Sequence, residues 1–198
     1  MKYLIIVSLM ALLMIGCGSS KKVTRLDEKS VTDLSGKWND TDARLVAEEM
    51  ISDALSRPWI TNFAAANGAK PVVTVGTIRN KSDEHIDTET FTTDFERELI
   101  NSGQVKFVAS RGQRDEVRSE RMDQQENSSR ETMKKLREET GADYLLIGSI
   151  KTIVDQEGGA RVVFYQTDLE LINIESNEKA WIGTKKIKKG ISKDKTKW

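Results

Sequence analysis

The sequence has few of the residues on which most enzyme and metal chemistry depends. Its 198 residues include one cysteine (Cys17), one histidine (His85) and two prolines. A single cysteine cannot close a disulfide within the chain, and without nearby histidine or acidic residues it builds neither a metal site nor an activated nucleophile. His85 has no second ligand at a useful spacing, so we interpret it as a loop residue. We expect no catalytic residue, no metal site and no cofactor.

An excess of charge of one sign is also missing. Lysine and arginine total 31, and aspartate and glutamate total 31. Nucleic acid is therefore not an expected partner, because binding to its phosphates requires a surplus of positive charge. A cell-wall hydrolase would need paired carboxylates in a cleft, whereas Glu48 with Glu49 and Asp168 with Glu170 have the spacing of ordinary surface charge. We expect no small-molecule substrate.

The first sixteen residues have the pattern of an export signal. Lys2 gives a short cationic start, residues 4–15 form an apolar run, and Gly16 places a small residue directly before Cys17. The run is too short for a membrane-spanning helix, which needs about 20 apolar residues. We therefore interpret residues 1–16 as a signal peptide.

The residues around the cysteine resemble the lipobox of bacterial lipoproteins. This motif is the stretch LMIGC at residues 13–17, with Met14 at the position where leucine is commonest. The resemblance implies that Cys17 is acylated and becomes the mature N-terminus, and each buried CH₂ of the lipid contributes about 0.8 kcal/mol to membrane binding. The alternative is an ordinary secretory peptide with a cysteine near its cut by accident.

A polar segment without proline follows the cysteine. Residues 17–33 are nearly free of large apolar side chains, which is typical of a flexible tether. At about 3.3 Å per residue, even full extension gives a reach of roughly 50 Å. We expect the folded domain, residues 34–198, to stay close to the membrane that holds the lipid.

Hydrophobic periodicity predicts an α/β (α+β) domain with helices packed on a mixed, mostly antiparallel β-sheet. A first helix is capped by Asn39 or Thr41 and ended by Pro58, and a later helix has Phe91, Phe95 and Leu99 on one face. Two further helices are expected within residues 111–140, divided near 126–129. The predicted strands lie at residues 70–78, 105–110, 142–154, 161–174 and 179–189, the last three forming an antiparallel meander.

Three segments closely resemble the LpoB-like penicillin-binding protein activator family. They are DLSGKWNDTDARLVAEEMI, RMDQQENSSRETMKKLREETGADYLLIGSI and VVFYQTDLELINIESNEKAWIGTKKIKK. The resemblance implies an outer-membrane lipoprotein facing the periplasm, with a domain similar to the N-terminal domain of TolB. It also implies that the protein binds an accessory domain of a class A penicillin-binding protein. This binding would raise the glycan-polymerising and crosslinking activities of that enzyme. Gly18 is similar to the sorting pattern for the outer membrane.

The tether departs from the family pattern, in which a long proline-rich linker carries the domain toward a synthase in the inner membrane. This tether has no proline and is much shorter. The alternative hypothesis is a structural lipoprotein of an outer-membrane or secretion assembly, since lipoproteins of the CsgG kind are similar in fold and anchoring.

Two groups of residues are candidates for binding a protein partner. The first group is expected in a loop between two helices, because it is more polar than a packed helix requires. The alternative is that these residues form an ordinary solvent-exposed connection with no binding role. The first group comprises Arg121, Asp123, Gln124, Gln125 and Glu126. The second group, Phe164 and Gln166, is expected on the solvent-exposed face of a strand whose other face is buried in the core.

Overall fold

A computed structural model describes residues 21–27, 29–134 and 139–192. Its contacts divide the chain into two units, residues 1–30 and residues 31–198. In the first unit, residues 21–27 and 29–30 contain no helix or strand. The predicted signal peptide and Cys17 lie outside the described residues.

The second unit is an α+β domain, as predicted. Within the described residues its helices are α1 (Asp40–Ser56), α2 (Trp59–Asn67), α3 (Thr88–Asn101) and α4 (Arg111–Asn127). Its strands are β1 (Val72–Lys81), β2 (Lys106–Phe107), β3 (Tyr144–Glu157), β4 (Ala160–Asn173) and β5 (Lys179–Ser192).

The described strands form one mixed sheet in the order β2-β1-β3-β4-β5. β1 pairs in parallel with both β2 and β3, whereas β3, β4 and β5 form the predicted antiparallel meander. β3 therefore lies at the centre, and the lysine-rich β5 forms an edge, as its composition indicates. The strand predicted over residues 105–110 is correct in position but extends over two residues only.

Helix α1 begins with a reciprocal cap. The Oδ1 atom of Asn39 accepts from the backbone N–H of Asp42 at 3.1 Å, and Oδ2 of Asp42 accepts from the N–H of Asn39 at 3.0 Å. Pro58 lies after the end of α1, as predicted, but it also precedes α2, which the periodicity missed. A proline fits there because the first N–H groups of a helix need no partner within it.

The first of the two helices predicted within residues 111–140 is confirmed, since helix α4 ends at Asn127, inside the division expected at residues 126–129. The second helix is not formed in the part that the structure describes, where residues 129–134 form a turn. The N–H of Met133 donates to the carbonyl oxygen of Ser129 at 2.9 Å, which closes a single turn. An isolated turn does not propagate without an apolar face to bury. Residues 135–138 of the predicted second helix lie outside the described residues.

The main core lies between one face of the sheet and helices α1 and α3. The predicted stack on α3 is confirmed, since Phe91, Phe95 and Leu99 are all buried. The indole N–H of Trp181 in β5 donates to Asp53 of α1 at 2.7 Å and fixes the helix to the sheet edge. The sheet contributes Val73, Val75, Ile78, Tyr144, Leu146, Leu169, Leu171 and Trp181 to this core.

A β-bulge in β1 changes which side chains of that strand face the core. Val75 pairs with Leu146, but the next paired residue is Ile78 with Gly148, so β1 has one extra residue at Gly76 and Thr77. Ile78 is consequently buried like Val75, although the two are three positions apart and same-face residues of a regular strand lie an even number of positions apart. Each residue after the bulge therefore lies on the face opposite to the one that simple alternation along β1 predicts.

A polar network holds the segment before α1 against the far end of β5. The ammonium of Lys189 donates to Asp33 and Asp42, at 2.6 Å in both cases, and to the carbonyl oxygen of Lys37 at 3.0 Å. Burial opposes the charge of Lys189, but the hydrogen bonds and charges of the two carboxylates outweigh it and raise its pKa. The network therefore stabilises the positively charged lysine.

Glu84 makes a second connection to the same segment. Its carboxylate accepts from the backbone N–H of Trp38 at 3.0 Å and from the hydroxyl of Tyr165 at 2.9 Å. The rings of Trp38 and Tyr165 meet edge to face, with centroids 5.5 Å apart. Burial and the hydrogen bond to Glu84 raise the pKa of Tyr165, so this phenol remains protonated.

Replacement of Gly148 by alanine is expected to destabilise the domain by about 2–3 kcal/mol. An added Cβ would lie 2.5 Å from the backbone oxygen of Asp168 and would also meet the side chain of Leu169. The control is Gly112→Ala in α4, where nothing lies within 4 Å and a small gain is expected. Urea denaturation measures both variants, and equal stability of the two would contradict the close packing of β3 on β4.

Lys189→Met is expected to cost about 3 kcal/mol, because it leaves the carboxylate of Asp42, whose side chain is 4% exposed, without its cation. Lys186→Met, on the exposed face of the same strand, should change the unfolding free energy by less than about 0.5 kcal/mol. Since the pKa of Lys189 is raised on folding, its contribution is complete below the unfolded-state pKa of about 10.4. It should disappear as the pH rises through the higher folded-state pKa, and a difference between the variants that grew with rising alkalinity would contradict this sign.

Candidate protein-docking surfaces

One face of the sheet carries basic side chains that the core does not use. The predicted alternation in β4 is confirmed: Val163, Tyr165, Thr167, Leu169 and Leu171 are buried, and the residues between them are half-buried. The pairing between strands shows which residues of the neighbouring strands share this half-buried face of β4. One row consists of Lys81, Lys151, Gln166 and Lys186, and the next of Arg79, Ser149, Asp168 and Thr184.

We define the basic sheet face as these two rows together with Ile153, Phe164 and Lys188, which form the following row. Its basic side chains are all exposed: Arg79, Lys81, Lys151, Lys186 and Lys188. The bulge contributes to this arrangement, because it places Arg79 and Lys81 on this face while Ile78 faces the core. Phe164 and Gln166, predicted for the wet face, lie within this surface.

Asp168 lies among these cations and orients three of its neighbours. Its carboxylate accepts from the ammonium of Lys151 at 2.9 Å, from the amide of Gln166 at 2.8 Å and from the hydroxyl of Thr184 at 2.8 Å. Partial burial opposes the charge of Asp168, but the hydrogen bonds from Lys151, Gln166 and Thr184 outweigh it and lower its pKa. Asp168 is thus a carboxylate that holds the surface in place.

An open cleft of ≈ 600 Å³ adjoins the same rows. Basic residues at one end of it give way to the apolar side chains of Leu145, Ile147 and Ile182. Ile182 is 55% exposed, so the apolar part is accessible to a partner. The combination of charged rows and an open, partly apolar cleft suits contact with a protein surface better than enclosure of a small ligand.

The five predicted residues near the helix division lie in the last turns of α4, and not in a loop. Two of them hold the chain that follows the helix: the amide of Gln125 donates to the carbonyl oxygen of Lys134 at 2.8 Å, and Oε1 of Gln124 accepts from the Lys134 N–H at 3.2 Å. Asp123 accepts from Asn127 at 2.8 Å. These polar groups therefore have partners within the chain, which explains part of their excess over an ordinary helix.

Charged contacts at the surface hold α4 itself. Arg118 makes two hydrogen bonds to the carboxylate of Glu139, at 2.9 and 2.8 Å, and Arg121 lies 3.6 Å from the same group. The hydrogen bond from Arg118 lowers the pKa of Glu139. No residue of α4 is buried. Since exposed ion pairs contribute little, this helix is held more weakly than α1.

The cations of the basic sheet face were not predicted as a group, because they come from three separate strands of the chain. One signal for part of the group was available. Gly76 interrupts an otherwise β-branched strand, and a glycine in that position often marks a bulge. A bulge there would have predicted that Arg79 and Lys81 share a face.

Within residues 21–27, 29–134 and 139–192, no group of three or more histidine, cysteine, aspartate or glutamate residues could hold a metal ion. Among the same residues, no helix has the length and apolar character to cross a membrane.

Helix α4 is expected to exchange its amide hydrogens at least about tenfold faster than α1, because it buries no side chain. The two helices provide a matched comparison, since both have 17 residues and α1 buries a full face. Hydrogen–deuterium exchange read by mass spectrometry makes the measurement. Equal protection of the two helices would mean that α4 is covered in solution.

Known structures with a related architecture are distant in sequence. The LpoB C-terminal domain from Escherichia coli is 18% identical, with a TM-score of 0.41 over 74% of this chain and 98% of that one. The corresponding domain from Salmonella enterica is 19% identical, with a TM-score of 0.35 over 66% and 93% of the two chains. Lipoprotein GNA1162 from Neisseria meningitidis is 12% identical, with a TM-score of 0.36 over 64% and 88%. No curated protein matches the chain.

One protein-family model matches most of the folded domain. The family described as peptidoglycan-synthase activator LpoB matches residues 42–187, which run from the first turn of α1 into β5. This match includes the main core, the bulge and most of the basic sheet face. The chain belongs to the LpoB family of peptidoglycan-synthase activators.

Proposed function

We propose that this protein is a noncatalytic outer-membrane lipoprotein that binds a class A penicillin-binding protein and activates it. The observation that carries the proposal is the family match over residues 42–187, which covers most of the folded domain. A lipid on Cys17 would hold the protein on the membrane, with the domain in the periplasm. The domain acts through binding and contributes no residue to the polymerising or crosslinking reactions.

Activation without catalysis has a thermodynamic requirement. A regulator shifts its partner toward an active conformation only by binding that conformation more tightly than the inactive one. A tenfold shift in the population requires a difference of about 1.4 kcal/mol between the two binding free energies. This is the scale of a few well-placed contacts, so a small domain with a rigid surface suffices.

The short tether limits where the contact takes place. Residues 17–33 contain no proline and reach roughly 50 Å at full extension. If the lipid is in the outer membrane, the accessory domain of the synthase must extend far from the inner membrane to meet the protein. The tether therefore makes native membranes the appropriate material for a first experiment.

Crosslinking of the full-length acylated protein in native membranes, followed by its purification and mass spectrometry, is expected to recover a class A penicillin-binding protein. The matched control is Cys17→Ala, which removes the acylation site and should release the protein from the membrane fraction. Addition of the protein to the recovered synthase should then increase the rates of glycan polymerisation and crosslinking. Recovery of outer-membrane or secretion components alone would contradict the proposal.

A further inference from the structure

We propose that the basic sheet face is the docking surface of this protein, and that it binds an acidic surface on the synthase. The inference deepens the proposed function, on which it rests. It assigns the contact to side chains of β1, β3, β4 and β5 instead of the end of α4.

Among the described residues, most cations of the basic sheet face lack a carboxylate partner. Lys151 is paired with Asp168, but Arg79, Lys81, Lys186 and Lys188 have no carboxylate within 4.0 Å among the described residues. The whole chain has a formal net charge of zero, so this local surplus reflects segregation of charge on one face. Cations that the fold does not neutralise attract an acidic partner and orient it during encounter.

Apolar side chains lie beside these cations. Phe164 is half-buried, and strand pairing places it between Ile153 and Lys188. Ile153 is 68% exposed, so this row provides accessible apolar area at the margin of the charged rows. Protein interfaces commonly combine an aromatic anchor with surrounding polar and charged groups.

The basic sheet face is also preorganised. Sheet hydrogen bonds fix the spacing of the rows, and Asp168 holds both Lys151 and Gln166 through direct hydrogen bonds. A surface that is already ordered loses little conformational entropy on binding. The predicted residues on α4 differ in this respect, because Gln124 and Gln125 are occupied with the chain at Lys134.

Charge reversal at two exposed positions of β5 tests the proposal. In Lys186→Glu plus Lys188→Glu, affinity for the purified class A penicillin-binding protein should fall at least about tenfold at 0.15 M salt, since repulsion replaces attraction. The charge-matched control is Lys106→Glu plus Arg111→Glu, which alters exposed residues at the opposite sheet edge and the start of α4. It should retain wild-type affinity.

Two further variants separate the surfaces. Phe164→Ala should weaken binding at low and high salt alike, because its contribution is apolar, whereas the charge-reversal defect should shrink as salt screens it. Gln124→Ala plus Gln125→Ala should bind with unchanged affinity. Circular dichroism and urea denaturation establish that each variant is folded before its affinity is compared.

The binding measurements test the docking surface separately from the proposed function. If the wild-type protein binds the synthase but the Lys186/Lys188 variant binds equally well, the inference is overturned and the proposed function stands. If the wild-type protein binds no class A penicillin-binding protein, both fail.

Vesicles of phosphatidylethanolamine and phosphatidylglycerol test a competing use of the same cations. If the Lys186/Lys188 variant lost binding to these vesicles while its affinity for the synthase was unchanged, the face would bind lipid headgroups. That outcome would overturn the assignment to an acidic protein surface.

Discussion

The fold depends on burial of one face of the sheet beneath α1 and α3. Leu146 and Leu169, on neighbouring central strands, contact this layer and are almost completely buried, as are Phe91 and Phe95 of α3. Because side chains alternate along a strand, each residue that faces this core places its neighbours on the opposite face. The core therefore determines the position of the basic side chains, although it does not contact most of them.

The bulge at Gly76 and Thr77 modifies this relation in one strand. It keeps Ile78 in the core and places Arg79 and Lys81 beside Lys151, which belongs to the neighbouring strand. A strand without the extra residue would turn the same basic side chains toward the apolar core, where their charges would be strongly unfavourable. The stability of the domain and the composition of its exposed face are thus linked through a single local irregularity.

The segment before α1 connects the predicted tether to the folded domain. Asp33, the last residue of that tether, and Asp42, in the first turn of α1, both contact Lys189 of β5. Glu84 joins Trp38 to Tyr165 at the same end of the sheet. These contacts fix residues 33–42 on β4 and β5, and the opposite face of β5 carries Lys186 and Lys188.

The sequence by itself determined the features that depend on neighbouring residues. Periodicity located α1, α3 and the three-stranded meander, and alternation in β4 separated Leu169 from Gln166. Asn39, one of the two caps predicted for α1, is the residue that caps it. Resemblance of three segments indicated the family, which the match over residues 42–187 confirmed. Local patterns are sufficient for these features because each repeats within a few residues.

The tertiary structure decided what depends on residues distant in the chain. It converted the expected loop around Gln124 into the end of α4, shortened β2 to two residues and showed that α2 begins directly after Pro58. It also brought Arg79, Lys151 and Lys188 from separate strands onto one face, which depends on strand order, register and the bulge together. No spacing in the sequence encodes that grouping, because pairing between strands is established only when the sheet forms around its core.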